Sequence, residues 1–431
     1  MKYSDWNWSA YNCITIIENT VVLFNTVSNS IITVEKEIYE GWRETGNYGK
    51  DEDILERAGF IYKQTDEAFL CACFDKRYND CKNMSFWIYV DMDCNFCCSY
   101  CFESNRISEQ YMDKDIASST IQWILSCIDR AGCKELEITF MGGEPLLNSE
   151  IFDFVYETLA ESAKARNIEL TCCIITNGSL LSNYIHIFKK GRFFIQVTLD
   201  GLAAQHDKRR RFKDGKPTFD IIMRNIIDTL NACGENLNIT IRINVDEMNI
   251  QHIAGLIKFL NKIRLSQRVN ICLGETVIKG QHKRLKSGFY KQLMQLYKVA
   301  QSNGIQMSLS EENVCYLSSP RWFMINWNGD IYKCPSLVGE EKLRVGNVKT
   351  GLNDNYERQT SIKAWNSRLC SQCKYVGICS GGCRYLSYLN EGSLEAAGMC
   401  KKMYYKLITE NYMQIKYQDA LSEDKKNKCC R

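Results

Sequence analysis

The apolar residues of this chain change period many times along its length, and the changes mark out elements. Over 86–90, 135–140, 169–176, 193–199, 238–245 and 270–273 they gather into short β-branched and aromatic runs, such as Phe86-Trp87-Ile88-Tyr89-Val90. Over 114–131, 150–166, 219–232, 250–264 and 287–302 they return every three or four positions, the period of an amphipathic helix. Repeated strand–helix units predict an α/β fold with a parallel sheet and right-handed crossovers. Six strands suit a partial (β/α)6 barrel, with function at the carboxyl ends of the strands. Ahead of it, 12–17, 21–24 and 30–34 read as strands, 35–42 and 51–58 as helices, and 60–62 as a returning strand. Residues 401–415 read as a closing helix and 416–431 as a charged tail. The expected divisions are 1–80, 81–305, 306–405 and 406–431, with seams near 75–84 and 305–315.

Composition narrows the classes. The 431 residues include 23 cysteines and four prolines, at a formal net charge of +3. That balance gives no reason to expect nucleic acid. No run approaches the roughly 18 apolar residues of a membrane span, and residues 1–8 carry no apolar signal region. A cytoplasmic location is expected. Thiols stay reduced there, so clustered cysteines point to metal or cluster ligation rather than to disulfides. Cys127, Cys133, Cys172, Cys173 and Cys233 lie in apolar-patterned segments and read as core fillers.

The chemistry concentrates in two places. Cys94, Cys98 and Cys101 make a C-x-x-x-C-x-x-C loop just beyond the first strand of the alternating region. Three thiolates on one short loop suit three corners of a cubane iron–sulfur cluster, because soft iron prefers thiolate, and they leave one iron open. A zinc knuckle fits the same residues, and Cys97 offers a rival triple with Cys94 and Cys101. Met141-Gly142-Gly143-Glu144-Pro145 ends the second strand; its glycines let backbone approach a ligand and Glu144 offers a carboxylate. Thr176-Asn177-Gly178 and Thr198-Leu199-Asp200-Gly201 end the third and fourth. The basic run His206-Asp207-Lys208-Arg209-Arg210-Arg211 lacks the interleaved aromatics of a nucleic-acid surface, and Arg209 and Arg211 read as solvated. Arg242 and Asn244 end the fifth strand. The second place is carboxyl-terminal: Cys315, Cys334, then Cys370-x-x-Cys373-x5-Cys379-x-x-x-Cys383, and Cys400. Gly377, Gly381 and Gly382 suit a loop wrapped around an inorganic core.

Together these motifs resemble the radical S-adenosylmethionine (SAM) superfamily, strongly over about residues 85–400. The later array resembles the SPASM extension of its peptide-modifying members. The resemblance implies a first [4Fe–4S] cluster on Cys94, Cys98 and Cys101, choosing Cys98 over Cys97, with SAM chelated at the open iron. It implies SAM contacts from Tyr100, Gly142, Gly143, Glu144, Thr198 and Asp200, and from Arg210 of an H-D-x-x-R pattern, whose planar fork suits the SAM carboxylate. Two auxiliary clusters would make three in all. Cys370, Cys373, Cys379 and Cys400 would hold the outer one, and Cys315, Cys334 and Cys383 three corners of the inner one. No cysteine stands in 308–314 to complete the inner set, which leaves Cys272, a carboxylate, water or a substrate thiolate. Cys429 and Cys430 lie in the tail and are expected not to be ligands.

Residues 10–70 resemble, more weakly, the winged-helix-like recognition module of ribosomal-peptide maturases, which would hold a leader peptide as an added edge strand. In the sulfatase-maturating branch an aspartate follows the cysteine matched by Cys334; Pro335 stands here and cannot take a proton. The resemblance thus implies thioether crosslinking of a cysteine-containing precursor peptide through a 5′-deoxyadenosyl radical. A low-potential flavodoxin or ferredoxin would supply electrons. The alternatives are a carbon–carbon or carbon–oxygen crosslink, formylglycine formation, or a non-catalytic Fe–S or zinc scaffold that binds peptide.

Overall fold

The computed structural model describes residues 5–79, 82–101, 103–104, 106–276, 287–303, 315–396 and 398–429, the side chains of 287 and 419–429 excepted. Residues 308–314, searched above for a further cysteine, and Cys430 lie outside them, as does the side chain of Cys429. The chain forms two compact units: Met1–Asn79 with Leu309–Cys315 and Ile362–Arg431, and Asp80–Ser308 with Tyr316–Ser361.

The unit holding both chain ends begins with strands β1 (Asn7–Trp8), β2 (Asn12–Ile17), β3 (Thr20–Asn25), β4 (Ser30–Glu35) and β5 (Ile61–Tyr62). β2, β3 and β4 form an antiparallel meander, while β1 pairs with β5. Helices Lys36–Thr45, Glu52–Arg57 and Asp66–Asn79 follow the meander. The last of these departs from the sequence expectation, and the seam placed near 75–84 begins inside it. Its Leu70, Phe74 and Tyr78 recur every four residues and pack against Tyr11, Val27, Trp365 and Val376.

Strand alternation sends Val21 and Leu23 to one face of the meander, against Trp42, Tyr48, Leu55 and Phe60. Val22 and Phe24 go to the other, against Tyr375, Met413 and Tyr417. Met413 and Tyr417 belong to helix Lys402–Cys429, which continues through residues expected as a charged tail. The cysteine-bearing loop is tied to this sheet as well. Thr26 Oγ1 donates to the Lys374 carbonyl at 2.6 Å, and Arg77 donates to the carbonyls of Gly377 and Val27 at 2.9 and 2.7 Å. At Gly377 a Cβ would overlap the Thr26 carbonyl, so only glycine lets the loop lie this close.

The other unit carries a ten-stranded sheet. Its parallel part is β6 (Asn83–Tyr89), β7 (Glu135–Met141), β8 (Glu169–Thr176), β9 (Phe193–Thr198), β10 (Leu237–Val245) and β11 (Val269–Glu275), side by side in sequence order. Helices Lys114–Ala131, Ser149–Ala165, Phe219–Cys233 and Ile250–Lys262 connect successive strands. β10 shows how the sheet is built: Leu237, Ile239, Ile241, Ile243 and Val245 are buried, while Asn238, Thr240, Arg242 and Asn244 share the opposite face. The sequence pattern did not show the other edge of the sheet. There β12 (Trp322–Ile325) joins β6 in parallel, and β13 (Asp330–Tyr332), β14 (Gly346–Asn347) and β15 (Gly351–Leu352) extend it antiparallel. These strands are two to four residues long, too short for a period to register. Among the described residues no helix is long and apolar enough to cross a membrane.

Gly377→Ala should lower the melting temperature by the equivalent of about 1–3 kcal/mol of overpacking. Gly41→Ala, in helix Lys36–Thr45 with open space at its Cβ, should be neutral or stabilising by about 0.5–1 kcal/mol. Equal melting temperatures for the two variants would deny the close contact at Thr26.

Candidate active site

The carboxyl ends of the parallel strands hold most of the polar residues singled out from the sequence. After β6 the chain enters the loop with Cys94, Cys98 and Cys101. Backbone bonds from Cys97 N to the Arg211 carbonyl (2.8 Å) and from Ser99 N to the Arg209 carbonyl (3.0 Å) lay the loop along the basic run. Phe96 packs edge-on against Phe212 at 5.0 Å. Cys94 is buried and Cys98 and Cys101 are half-buried, whereas Cys97 is exposed. The Cys98 and Cys101 charges act on Cys94, and that of Cys98 acts on Cys101. Burial pushes all three thiols upward, Cys101 to about 11, which keeps them protonated until a metal or a cation claims them.

The Gly-Gly-Glu-Pro turn after β7 is pressed onto this loop. A Cβ at Gly142 would overlap the Asp91 carbonyl, and one at Gly143 the Asp93 carbonyl. The close approach that two glycines permit is therefore made to the chain's own backbone, and it fixes the turn against the cysteine loop. Glu144 is fully buried, accepting from Thr176 Oγ1 and Asn177 N, both at 2.7 Å, and from Leu146 N at 3.2 Å. Asn177 in turn donates to Asn95 Oδ1 at 2.7 Å and leans on Cys94 Sγ at 3.9 Å. Asp91, buried beside Glu144, is pushed up to about 9 by that burial and then by the Glu144 charge.

A second network joins the cysteine loop to the later strands. Tyr100 donates to Asp200 Oδ2 and accepts from Arg210 Nη1 (2.8 Å) and Asn244 Nδ2 (3.2 Å). Asp200 Oδ1 accepts from Asn244 N at 2.9 Å. Thr198 stands level with Arg242 in the register of β9 and β10. The H-D-x-x-R residues divide their labour. His206 Nδ1 accepts from Asp200 N at 3.2 Å, so its proton sits on Nε2, 3.1 Å from Thr218 Oγ1. Asp207 accepts from Thr218 N and Phe219 N at 2.8 and 2.9 Å, satisfying amides at the start of helix Phe219–Cys233. Burial, then the charges of Arg210 and Arg209, press His206 down to about 3.

Arg209 corrects the sequence expectation of a solvated side chain. It is buried, forks onto Asp246 at 2.7 and 3.2 Å, and lies over the Tyr100 ring at 4.7 Å. Asp246, just beyond β10, was the missed partner; no local pattern links residues so far apart. Arg211 is exposed, as expected.

The remaining cysteines follow their units. The charges of Cys370, Cys373 and Cys400 all act on Cys379, whose thiol is pushed up to about 11 by burial first. Cys315 N donates to Tyr78 Oη at 3.1 Å. Cys383 is exposed. Cys334 lies in the barrel unit, ahead of the turn in which the Pro335 carbonyl accepts from Tyr89 Oη at 3.2 Å.

The residues at the mouth fit the iron–sulfur and SAM cofactors that the motifs imply. Three thiols share one loop, and the buried atoms Asp91 Oδ2, Arg209 Nε and Arg210 Nε have no hydrogen-bond partner. Buried polar atoms are rarely left so. Among the described residues no three His, Cys, Asp or Glu side chains converge as tightly as one bare ion requires. A cubane asks for a looser set, one thiolate per iron corner.

A parallel sheet with a three-cysteine loop beyond its first strand and a glycine–carboxylate turn beyond its second defines a class of βα iron–sulfur enzyme. Residues 92–260 match the model of the Radical SAM superfamily, so the chain carries a radical SAM domain, with homology to the anaerobic sulfatase-maturating enzymes. The cysteine-type anaerobic sulfatase-maturating enzyme of Clostridium perfringens is 24% identical over 329 residues, spanning 68% of this chain and 86% of the relative. The solved structure of native anSMEcpe with bound AdoMet and Cp18Cys peptide superposes at a TM-score of 0.62 and 18% identity, covering 79% of this chain and 98% of that one. SuiB of Streptococcus suis bound to its precursor peptide SuiA superposes at 0.54 and 17%, covering 92% and 99%. These structural likenesses show a shared fold.

The buried imidazole yields a test with a definite sign. An unfolded histidine titrates near ~6.5, whereas His206 stays neutral in the fold down to about 3. Between these values the unfolded chain binds the extra proton, so stability falls as pH falls through that window. Urea midpoints of cluster-free protein should drop with acid below about pH 6.5. The drop should be shallower in His206→Gln, and an unchanged slope would show that His206 is not held neutral.

Proposed function

We propose that this radical SAM enzyme closes an intramolecular thioether in a ribosomally made, cysteine-containing peptide. Pro335 carries that choice: a residue with no titratable group follows Cys334, and its carbonyl is engaged by Tyr89. A maturase that must deprotonate a substrate side chain there would need a base at this position. A substrate thiol that binds metal loses its proton outright and needs none.

In this reading Cys94, Cys98 and Cys101 hold the first cluster. Cluster and SAM, when bound, supply a 5′-deoxyadenosyl radical that takes a hydrogen atom from the substrate; the chemistry belongs to the cofactors. This chain orients and shields. Arg210 offers the SAM carboxylate a planar fork, and Tyr100 and Asn244 fix that fork's direction. Asp200 and Thr198 would hold the ribose and Glu144 the amino group, with Gly142 and Gly143 holding its turn in place. Cys370, Cys373, Cys379 and Cys400 hold the outer auxiliary cluster. By the resemblance, Cys315, Cys334 and Cys383 would hold three corners of the inner one, whose remaining position would accept the substrate thiolate after its proton is lost; the one electron released as the carbon–sulfur bond closes would pass to that cluster. Supporting the outer set, three of its thiolate charges act on the fourth.

The meander β2–β4 followed by three helices supports a winged-helix-like leader-recognition module. Both faces of the meander are covered, so a leader would add along an edge strand, backbone to backbone. SuiB, which shares the fold, is solved with its precursor peptide. A low-potential flavodoxin or ferredoxin in the cytoplasm would deliver the electrons.

Mass spectrometry of a co-expressed precursor peptide tests the proposal. The expected product has lost two hydrogens and resists thiol alkylation at the modified cysteine. The same mass loss with every thiol still reactive would overturn the thioether and favour a carbon–carbon or carbon–oxygen crosslink. A formylglycine in place of cysteine would return the chain to sulfatase-type chemistry.

A further inference from the structure

Among the described residues, Arg209, Arg210 and Arg242 stand buried or half-buried at the barrel mouth, and the first two have an acid to meet. Arg209 is matched by Asp246, and Arg210 lies within reach of the Asp200 charge. Arg242 has neither. Its Nε donates to Asn244 Oδ1 at 3.3 Å and its Nη1 to Cys272 Sγ at 3.5 Å, both uncharged acceptors. No carboxylate pairs with it among the described residues, and most of its five N–H donors remain unused.

The place is built to hold that guanidinium. Strand alternation puts Arg242 and Asn244 on the polar face of β10, and the parallel register sets them beside Cys272 and Gly274 of β11. A Cβ at Gly274 would overlap the Arg242 guanidinium, so the missing side chain is what lets Arg242 lie across β11. Asn244 also donates to Tyr100 Oη at 3.2 Å. One side chain therefore separates the free guanidinium from the network assigned to SAM. Holding a cation half out of water without a counter-charge is costly, and a carboxylate would remove that cost through a paired, charge-assisted contact.

We propose that Arg242, with Cys272 and Gly274, forms a carboxylate-binding subsite in the barrel mouth, and that its occupant is a carboxylate of the substrate peptide. Arg242 then sets specificity: it selects peptides with an acidic residue near the reacting carbon and holds that residue beside the SAM-binding groups. The owner of the carboxylate rests on the peptide-maturase reading; the subsite itself does not. The other available source is the carboxylate of SAM.

Cys272 makes the subsite measurable without turnover. Iodoacetate carries a carboxylate and a thiol-reactive carbon, and iodoacetamide is its uncharged counterpart. Cluster-loaded protein is treated anaerobically with each reagent, and modification at Cys272 is read by peptide mapping. The ratio of iodoacetate to iodoacetamide rates should fall about tenfold in Arg242→Gln and recover in part in Arg242→Lys, as loss of a charge-assisted bond requires. Any change in thiol acidity acts on both reagents and cancels in the ratio. An unchanged ratio, or a Cys272 inert to both reagents, overturns the subsite. In SAM-saturated protein the preference for iodoacetate should persist; its disappearance assigns the subsite to SAM and overturns the peptide assignment. A failed thioether assay would leave the labelling result standing, so the two failures are separable.

Discussion

The mouth of this barrel depends on a half-buried tyrosine whose hydroxyl is shared by an acid, a cation and an amide. Tyr100 Oη joins Asp200, Arg210 and Asn244, and through them the cysteine loop, β9, the basic run and β10. Each partner alone would be expensive to bury; together they satisfy one another. Because Tyr100 lies between Cys98 and Cys101, this network and the thiol loop cannot move independently.

Glycine does the matching work on the other side. Gly142 and Gly143 press the turn after β7 onto Asp91 and Asp93. Glu144, held by Thr176 and Asn177, then reaches the third strand. The cysteine loop is thus clamped from both flanks by elements that arrive at different points in the chain. The carboxyl-terminal cysteine loop meets the same requirement within its own unit, where Gly377 lies against Thr26 and Arg77 ties both segments.

Much of this was legible in the sequence, for physical reasons. Strands buried on at least one face carry β-branched and aromatic runs, and helices packed on them carry a clean three-to-four period, so the six parallel strands declared themselves. The cysteine loop and the glycine–carboxylate turn were legible because their chemistry restricts residue type. What stayed hidden had weak or distant signals. Helix Asp66–Asn79 sets charged residues close to its apolar stripe, and Cys71 and Cys73 broaden that stripe until its period blurs. Strands β12–β15 are too short to show a period. Arg209 read as solvent-facing because its acid, Asp246, comes from the far end of another strand. The unpaired guanidinium of Arg242 was invisible for the same reason, since only the register of β10 and β11 shows that Gly274 vacates its place.

The most direct measurement is reductive cleavage of SAM by anaerobically reconstituted protein, comparing Cys97→Ala with Cys98→Ala. The geometry leaves Cys97 exposed and Cys98 beside Cys94 and Cys101, so Cys97→Ala should still form 5′-deoxyadenosine on reduction and Cys98→Ala should form none. Formation by Cys98→Ala but not by Cys97→Ala would put the cluster on the rival triple. No 5′-deoxyadenosine from the wild-type chain, with zinc in place of iron, would contradict a catalytic cluster altogether.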